Sequence, residues 1–284
     1  MSVAALSFSL MSLLVKLAGR RLPVQEIVLA RALISFFVTW AYLKRRGLRP
    51  WGRRRGLLVL RGALGFGALL CFFYSVVHLP LADATVIQYT NPVFAALVAA
   101  LLLDERVRPR DGACIAASLA GVLLVAQPAL VFGAGAAELD PVAVAVALLG
   151  AVLSAGAYVT VRALTATEEP LVIVFYFAVV SVLGSAPLAA VNPVWPTGNE
   201  WLLLVAIGIA TQLGQVHLTK GLRVEPAGRA LGMGYLQIVF AAAWGVLFFS
   251  EIPGGLSLAG FLLIVSATTL LARWPAGTRA PAPT

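Results

Sequence analysis

The stretch QYTNPVFAALVAALLLDE, residues 88–105, combines three features that rarely occur together in one hydrophobic segment. It begins with polar residues and a proline, continues as an apolar run, and ends on two acids. GYLQIVFAAAWGVLFFSE, residues 234–251, repeats this pattern, and a shift of 146 positions aligns Tyr89 with Tyr235. The repeat indicates that the chain contains a duplicated unit.

The composition is that of an integral membrane protein. The 284 residues are 61% hydrophobic and 12% charged, with a mean hydropathy of +0.95, whereas soluble domains carry about 25% charged residues. Apolar runs of about 17 to 25 residues predict membrane-spanning helices. The ten predicted spans cover residues 1–18, 24–43, 57–78, 82–103, 111–127, 141–163, 170–191, 201–220, 226–249 and 255–272.

The net charge of +9 follows from membrane topology and does not indicate a nucleic-acid partner. With the N-terminus placed inside, 17 of the 21 lysines and arginines lie on one side of the membrane, among them Arg61 and seven residues within 44–55. The positive-inside rule therefore predicts cytoplasmic N- and C-termini and a location in the cell (inner) membrane. We also expect the basic residues to contact anionic membrane lipid.

Ten spans divide into two sets of five, and an odd number makes the second set enter the membrane in the opposite sense. We therefore predict an all-α integral membrane protein with ten transmembrane helices in two inverted five-helix repeats. The first repeat covers residues 1–127 and the second covers residues 141–273. An external linker, 128–140, joins them, and 274–284 form a disordered cytoplasmic tail.

Inverted repeats are typical of secondary transporters, whose sites lie near the membrane midplane where the repeats meet. The chain has only two histidines, and no predicted span carries a carboxylate at mid-depth, so we expect no enzyme activity, metal site or cofactor. The alternatives are a membrane-embedded enzyme or accessory subunit acting on a lipid-linked substrate, and a channel. A channel is disfavoured because no ring of like polar residues is evident.

Three segments carry a resemblance to a known family. EIVLARALIS (26–35), DGACIAASLAGVLLV (111–125) and the stretch 61–107, which begins RGALGFG and ends LLLDERV, resemble EamA-type transporters of the drug/metabolite transporter superfamily. The chain is similar to the group that includes solute carrier family 35 subgroup G-like and S-adenosylmethionine-type carriers. The resemblance implies alternating access and transport of small metabolites, often without a cofactor.

Pro92 predicts a break in the fourth span, because it lacks an N–H and disfavours helical geometry at the preceding residue. Unpaired backbone is tolerated in a membrane only against protein or a wet cavity, so we expect polar residues here to bind the solute. The candidate substrate-binding residues are Gln88, Tyr89, Asn91, Tyr235, Gln237, Gln212, His217 and Lys220. Bonding between helices is the alternative interpretation, and for His217 it is equally compatible with the sequence.

The same pattern predicts hinges and gates. The candidate hinge residues are Pro92, Gly232 and Gly234. Glu105 and Glu251 end their spans, where the helix dipole disfavours a carboxylate by about 0.3 to 1 kcal/mol, so each requires a partner. We expect Glu251 to pair with Lys16 and Glu105 with Arg162 in alternate states, although ordinary surface glutamates near loop arginines would give the same pattern.

The predicted partner is a small polar solute. The cations near the proposed path, with no carboxylate at mid-depth, favour an anionic or zwitterionic one. A monomer and a homodimer are both compatible with the sequence.

Overall fold

In a computed structural model, which describes residues 1–79, 81–103, 108–127, 131, 140–191, 193–249 and 254–273, the secondary structure elements are helices. Their bounds are α1 Ser2–Ala18, α2 Val24–Arg45, α3 Arg55–His78, α4 Leu81–Gln88, α5 Asn91–Leu103, α6 Pro109–Ala126, α7 Pro141–Leu164, α8 Pro170–Ala189, α9 Gly198–Val224, α10 Ala227–Gly232, α11 Leu236–Phe249 and α12 Gly255–Arg273. Among these residues, nine helical stretches are long and apolar enough to span a membrane, and α1 is a shorter apolar helix. The prediction of a ten-helix membrane protein is confirmed.

Two of the spans are interrupted near the middle of the membrane. The fourth span consists of α4 and α5, which are separated by a turn at Tyr89 and Thr90. The ninth consists of α10 and α11, which are joined by the 3-10 turn Met233–Tyr235. The interruptions therefore lie at equivalent positions of the two repeats, although only the first has a proline beside it.

Helix packing follows a twofold pattern. α3 packs against α7 as α9 packs against α1, and α3 packs against α8 as α9 packs against α2. α5 contacts α7 in the same way that α11 contacts α1, while α6 pairs with α12. In each of these pairs of contacts, the second is obtained by replacing every helix of the first with its equivalent in the other repeat. The two repeats therefore make the same helix contacts.

Close packing at two glycines shows this symmetry residue by residue. A Cβ atom added to Gly62 would lie 2.6 Å from Val180 Cγ2, and one added to Gly208 would lie 2.5 Å from Ile34 Cγ2. Positions 62 and 208 are separated by 146, as are 34 and 180. The register predicted from the sequence is therefore also the register of the helix contacts.

We call the membrane face that carries residues 44–55 the basic face, and the other the opposite face. On the basic face, the Glu168 carboxylate accepts hydrogen bonds from the backbone N–H groups of Arg53 and Arg54, each 2.6 Å long. On the opposite face, Arg21 forms an ion pair with Glu200 in the first turn of α9. The first contact attaches the loop after α7 to the beginning of α3, and the second attaches the loop after α1 to the beginning of α9. The loop after the first helix of one repeat is thus held by the third span of the other.

Candidate functional site

The two interrupted spans meet at Tyr89 and Tyr235. The Tyr235 hydroxyl donates a hydrogen bond of 2.8 Å to the Tyr89 carbonyl oxygen. Their rings stack with centroids 5.8 Å apart and an interplanar angle of 30°. Tyr235 is fully buried, whereas Tyr89 is half-buried. Because the two residues are equivalent in the repeats, this contact marks the place where the halves join.

The local backbone explains why the Tyr89 carbonyl is free to accept this bond. In a regular α-helix it would accept from Val93 N–H, but that group instead donates to the Thr90 carbonyl, at 3.0 Å. The shortened bond follows the turn that precedes Pro92. An unpaired carbonyl inside a membrane is costly, and the equivalent tyrosine of the other repeat provides the missing donor.

A cavity of about 70 Å³ lies beside the tyrosine pair. Its lining includes Ala4, Ala5, Phe8, Tyr89, Asn91, Pro92, Tyr158, Leu218, Leu231, Gly234 and Gln237. Tyr158, Leu218 and Leu231 lie close to the ends of their helices at the basic face, so the cavity occupies that half of the membrane. Its volume holds water or a small group and is below the roughly 300 Å³ of an open ligand site.

The equivalent region in the other half of the membrane is closed by packing. Leu79, Ala84 and Ile87, from the end of α3 and from α4, form a buried cluster with Ala143 and Ala147 of α7. In the repeat register α4 corresponds to α10 and α7 corresponds to α1. Thus α4 and α7 are packed together near the opposite face, whereas their equivalents, α10 and α1, border a cavity near the basic face.

A hydrogen bond adds to this closed contact. The Gln88 side-chain amide donates to the Ser154 hydroxyl at 3.0 Å. The equivalent positions are Gly234 and Phe8, both of which line the cavity. Glycine and phenylalanine cannot form a side-chain hydrogen bond. The bond that holds α4 to α7 therefore has no equivalent between positions 234 and 8.

Comparison with known proteins identifies the chain's family. The sequence profile of the EamA-like transporter family matches residues 1–127 and 141–273. The chain belongs to this family. This EamA-like transporter is 38% identical to the pseudopaline exporter of Pseudomonas aeruginosa over 276 residues, which are 97% of its own length and 95% of the exporter's.

The chain is also similar to a human solute carrier in sequence and to a solved structure in fold. Human solute carrier family 35 member G1 is 29% identical over 235 residues, 80% of the EamA-like transporter and 64% of the human protein. One solved crystal structure has the same fold, with a TM-score of 0.81, 23% identity and 96% of each chain covered. The protein is thus a multi-pass membrane transporter of a small metabolite and not an enzyme.

Five of the predicted substrate-binding and hinge residues line the cavity of the transporter: Tyr89, Asn91, Pro92, Gly234 and Gln237. Gln212 instead lies between α2 and α9, where its amide accepts from Ser35 at 2.5 Å and donates to Thr39 at 2.7 Å. Both hydrogen bonds join the Gln212 side chain of α9 to α2. This placement agrees with the alternative interpretation, in which the polar residue bonds two helices together.

His217 and Lys220 are not among the cavity's lining residues. His217 is half-buried, and its Nδ1 atom lies 2.9 Å from the Leu213 carbonyl of the preceding helical turn. Lys220 is exposed. Neither side chain reaches the tyrosine pair. The number of polar residues along α9 did not indicate which of them lie on the face toward the cavity.

Two members of the predicted gates, Glu105 and Glu251, lie outside the described residues. Arg162 donates to the carbonyls of Leu222 and Arg223, at 2.9 and 2.8 Å, and so caps the end of α9. Lys16 is exposed in the last turn of α1. The remaining predicted hinge residue, Gly232, ends α10 directly before the 3-10 turn.

Sequence inspection missed a buried charge network at the beginning of α10. Arg229 is 4% exposed; its guanidinium lies 2.9 Å from the Glu225 carboxylate and 3.6 Å from that of Asp111, and it donates to the Leu271 carbonyl. The network joins α6, α10 and α12. The spacing of Glu225 and Arg229, four residues apart, was the available signal.

Proposed function

We propose that this EamA-like transporter moves a small polar metabolite by alternating access, with the solute bound where the two interrupted spans meet. The observation that carries the proposal is the difference between two equivalent contacts. α4 packs against α7, whereas a cavity lies between the equivalent elements α10 and α1. Two symmetric repeats in different conformations give a carrier that is open toward one face, and exchange of those conformations opens it toward the other.

The interruptions provide the movable joints for this exchange. Pro92 and Gly234 both border the cavity, and a Cβ atom at Gly234 would meet nothing within 4 Å. The 3-10 turn after Gly232 has fewer residues per turn than an α-helix and is a frequent location of hinges. α10 can therefore change its angle to α11 without disturbing close packing at Gly234.

The topology is part of the proposal. We place the basic face in the cytoplasm of a cell whose inner membrane holds the protein, with both termini on that side. Residues 1–127 and 141–273 form the two inverted repeats, the segment between them is external, and the cavity faces the cytoplasm. The gates Glu251 with Lys16 and Glu105 with Arg162 complete the two ends of the path.

The name of the Pseudomonas relative, which describes that protein as an exporter, supports a proposal for the direction of transport. We propose that the present transporter likewise exports its metabolite, because the similarity extends over nearly the whole of both chains. Asn91 and Gln237, equivalent amides that border the cavity, are the groups assigned to hydrogen bonding with the solute.

The test is counterflow in proteoliposomes loaded with a panel of amino acids, carboxylates, nucleosides and pseudopaline, with and without a pH gradient. Saturable counterflow of at least one solute is expected, and Asn91→Ala or Gln237→Ala should reduce it about tenfold, the effect of removing a hydrogen bond worth about 1.4 kcal/mol. Gln25→Ala is the matched control, since Gln25 is an exposed amide of α2. Ion currents that persist without any solute would contradict a carrier and support a channel.

A further inference from the structure

Arg61 is a buried cation without a counterion among the described residues. The sequence places it among the basic residues of the cytoplasmic side, but the structure places it inside α3 with 3% of its surface exposed. Within the part of the chain that the structure describes, its Nε and Nη1 atoms have no hydrogen-bond partner. Nη2 reaches only the Gln215 side-chain oxygen, at 3.4 Å. No carboxylate forms an ion pair with Arg61 in the described part of the chain.

The contacts of Arg61 do not compensate its burial. The guanidinium carbon lies 4.3 Å from the centre of the Phe177 ring, which gives a cation–π interaction. A buried guanidinium still requires hydrogen-bond acceptors, and an unpaired charge in the interior is strongly unfavourable. The Nε and Nη1 groups of Arg61 therefore remain available to donate hydrogen bonds to a ligand.

The fold itself does not need an arginine here. The equivalent position of the second repeat is Ile207, which is fully buried in α9. One helical turn after Arg61, Gly65 leaves the space that the guanidinium occupies, since a Cβ atom at Gly65 would lie 2.4 Å from Arg61 Nη1. The equivalent of Gly65 is Thr211. The first repeat thus has a cation and a glycine that accommodates it where the second repeat has an isoleucine and a threonine.

Tyr158 connects Arg61 with the cavity. This α7 residue lines the cavity together with Tyr89, and it lies within electrostatic range of both Arg61 and Tyr89. Arg61 and Tyr158 each lie about two helical turns from the basic-face end of their helices, or about 9 Å at 1.5 Å per residue. Arg61 therefore lies at the depth of the cavity-lining Tyr158, between the tyrosine pair and the basic face.

We propose that Arg61, assisted by Tyr158 and Gln215, binds a carboxylate group of the transported solute. A guanidinium offers two parallel N–H donors that match the two oxygens of a carboxylate. One buried cation neutralises one negative charge, which a carboxylate has, whereas a phosphate monoester carries about two near neutral pH. This inference rests on the proposed transport function and specifies the chemical class of its solute.

Thermal unfolding of the purified full-length protein in detergent tests the assignment without knowledge of the solute. Without added anion, Arg61→Met should raise the unfolding midpoint by about 2 °C or more, because an apolar side chain of similar length removes an unpaired buried charge. Arg49→Met is the matched control, since Arg49 is exposed in the loop after α2, and it should leave the midpoint unchanged. Arg61→Met that lowers the midpoint would overturn the proposal in favour of a packing role.

A second measurement uses sodium acetate as the probe, with sodium chloride and sodium phosphate at the same ionic strength. Acetate should stabilise the unmodified protein more than it stabilises Arg61→Met, and Arg61→Lys, which keeps the charge but loses the planar fork, should show an intermediate effect. Equal stabilisation of the unmodified protein and Arg61→Met by acetate would overturn the proposal. Phosphate also stabilises folded proteins without binding a site, so the Arg61-dependent part of its effect is the relevant one. A larger difference between the unmodified protein and Arg61→Met in phosphate than in acetate would overturn the assignment to a carboxylate.

Counterflow separates this inference from the proposed transport function. If transport occurs and is unchanged by Arg61→Met for a carboxylate solute, the carboxylate site is wrong and the carrier stands. If no solute of the panel is carried by the unmodified protein, the transport proposal fails, while the acetate-dependent unfolding result still decides whether Arg61 binds a carboxylate. The expected result is loss of counterflow in Arg61→Met for the carboxylate, with counterflow of its carboxamide analogue unaffected.

Discussion

The Tyr235 hydroxyl donates a 2.8 Å hydrogen bond to the Tyr89 carbonyl, although these residues hold the same position in two repeats. The bond is one-sided, because the Tyr89 side chain borders the cavity while Tyr235 is fully buried. Exchange of the two repeat conformations would reverse the roles, with the Tyr89 hydroxyl donating to the Tyr235 carbonyl. The bond therefore belongs to one of the two states of the carrier.

Phenylalanine substitutions distinguish the two tyrosines. Tyr235→Phe leaves the half-buried Tyr89 carbonyl without this donor and should destabilise the observed state by about 1 kcal/mol. Tyr89→Phe removes a hydroxyl that forms no corresponding bond in this state, so its effect on thermal unfolding should be small. Both variants should slow counterflow, since each removes the bond from one state. Equal unfolding midpoints for the two variants would contradict the one-sided arrangement.

The Arg229 network should make a large contribution to stability. Arg229→Ala leaves the carboxylates of Asp111 and Glu225 near one another without the buried guanidinium between them, and breaking a buried ion pair in this way costs about 3 to 5 kcal/mol. Thermal unfolding in detergent measures the loss. Arg223→Ala is the control, because Arg223 is exposed on the same face. Comparable midpoints for the two variants would show that the network is not a stabilising element.

The contact between α6 and α12 should not tolerate a side chain at Gly121. A Cβ atom there would lie 2.7 Å from the Gly260 carbonyl oxygen, so Gly121→Ala forces two backbones apart and should destabilise the protein by about 1 to 3 kcal/mol. At Gly156 the nearest atom is a Leu64 methyl at 3.5 Å, an ordinary contact. Gly156→Ala should leave the unfolding midpoint unchanged or raise it slightly. A lower unfolding midpoint for Gly156→Ala than for Gly121→Ala would contradict the close contact between α6 and α12.

Much of the fold was predictable from the sequence because membrane helices have a strong local signal. Hydropathy locates the spans, and the 146-residue register of Tyr89 and Tyr235 also relates the packing of Gly62 to that of Gly208. The interruption at Pro92 was predictable for the same reason, since proline acts on its own helix.

The candidate site was less predictable because it depends on which way each helix faces. Gln212 and Arg61 are both polar residues in apolar spans, yet Gln212 is satisfied by two hydroxyls while Arg61 is left with unpaired donors. Tyr158, in an α7 segment with no distinctive motif, reaches the cavity only through the packing of α7 against other helices. Such differences arise from tertiary contacts and leave no local pattern in the sequence.

Side-specific labelling of two equivalent positions tests whether the transporter exchanges between two repeat conformations. Ala5 borders the cavity, and its equivalent Ala151 is fully buried in α7. Each is replaced singly by cysteine in a protein whose two free cysteines, Cys71 and Cys114, are changed to serine. A membrane-impermeant thiol reagent is then applied to right-side-out or inside-out vesicles.

We expect Ala5→Cys to react only with reagent on the basic face and Ala151→Cys to react, more slowly, only with reagent on the opposite face. Reaction of both cysteines from the same face, or of either one from both faces, would contradict exchange between two repeat conformations. So would an Ala151→Cys variant that transports solute and never reacts.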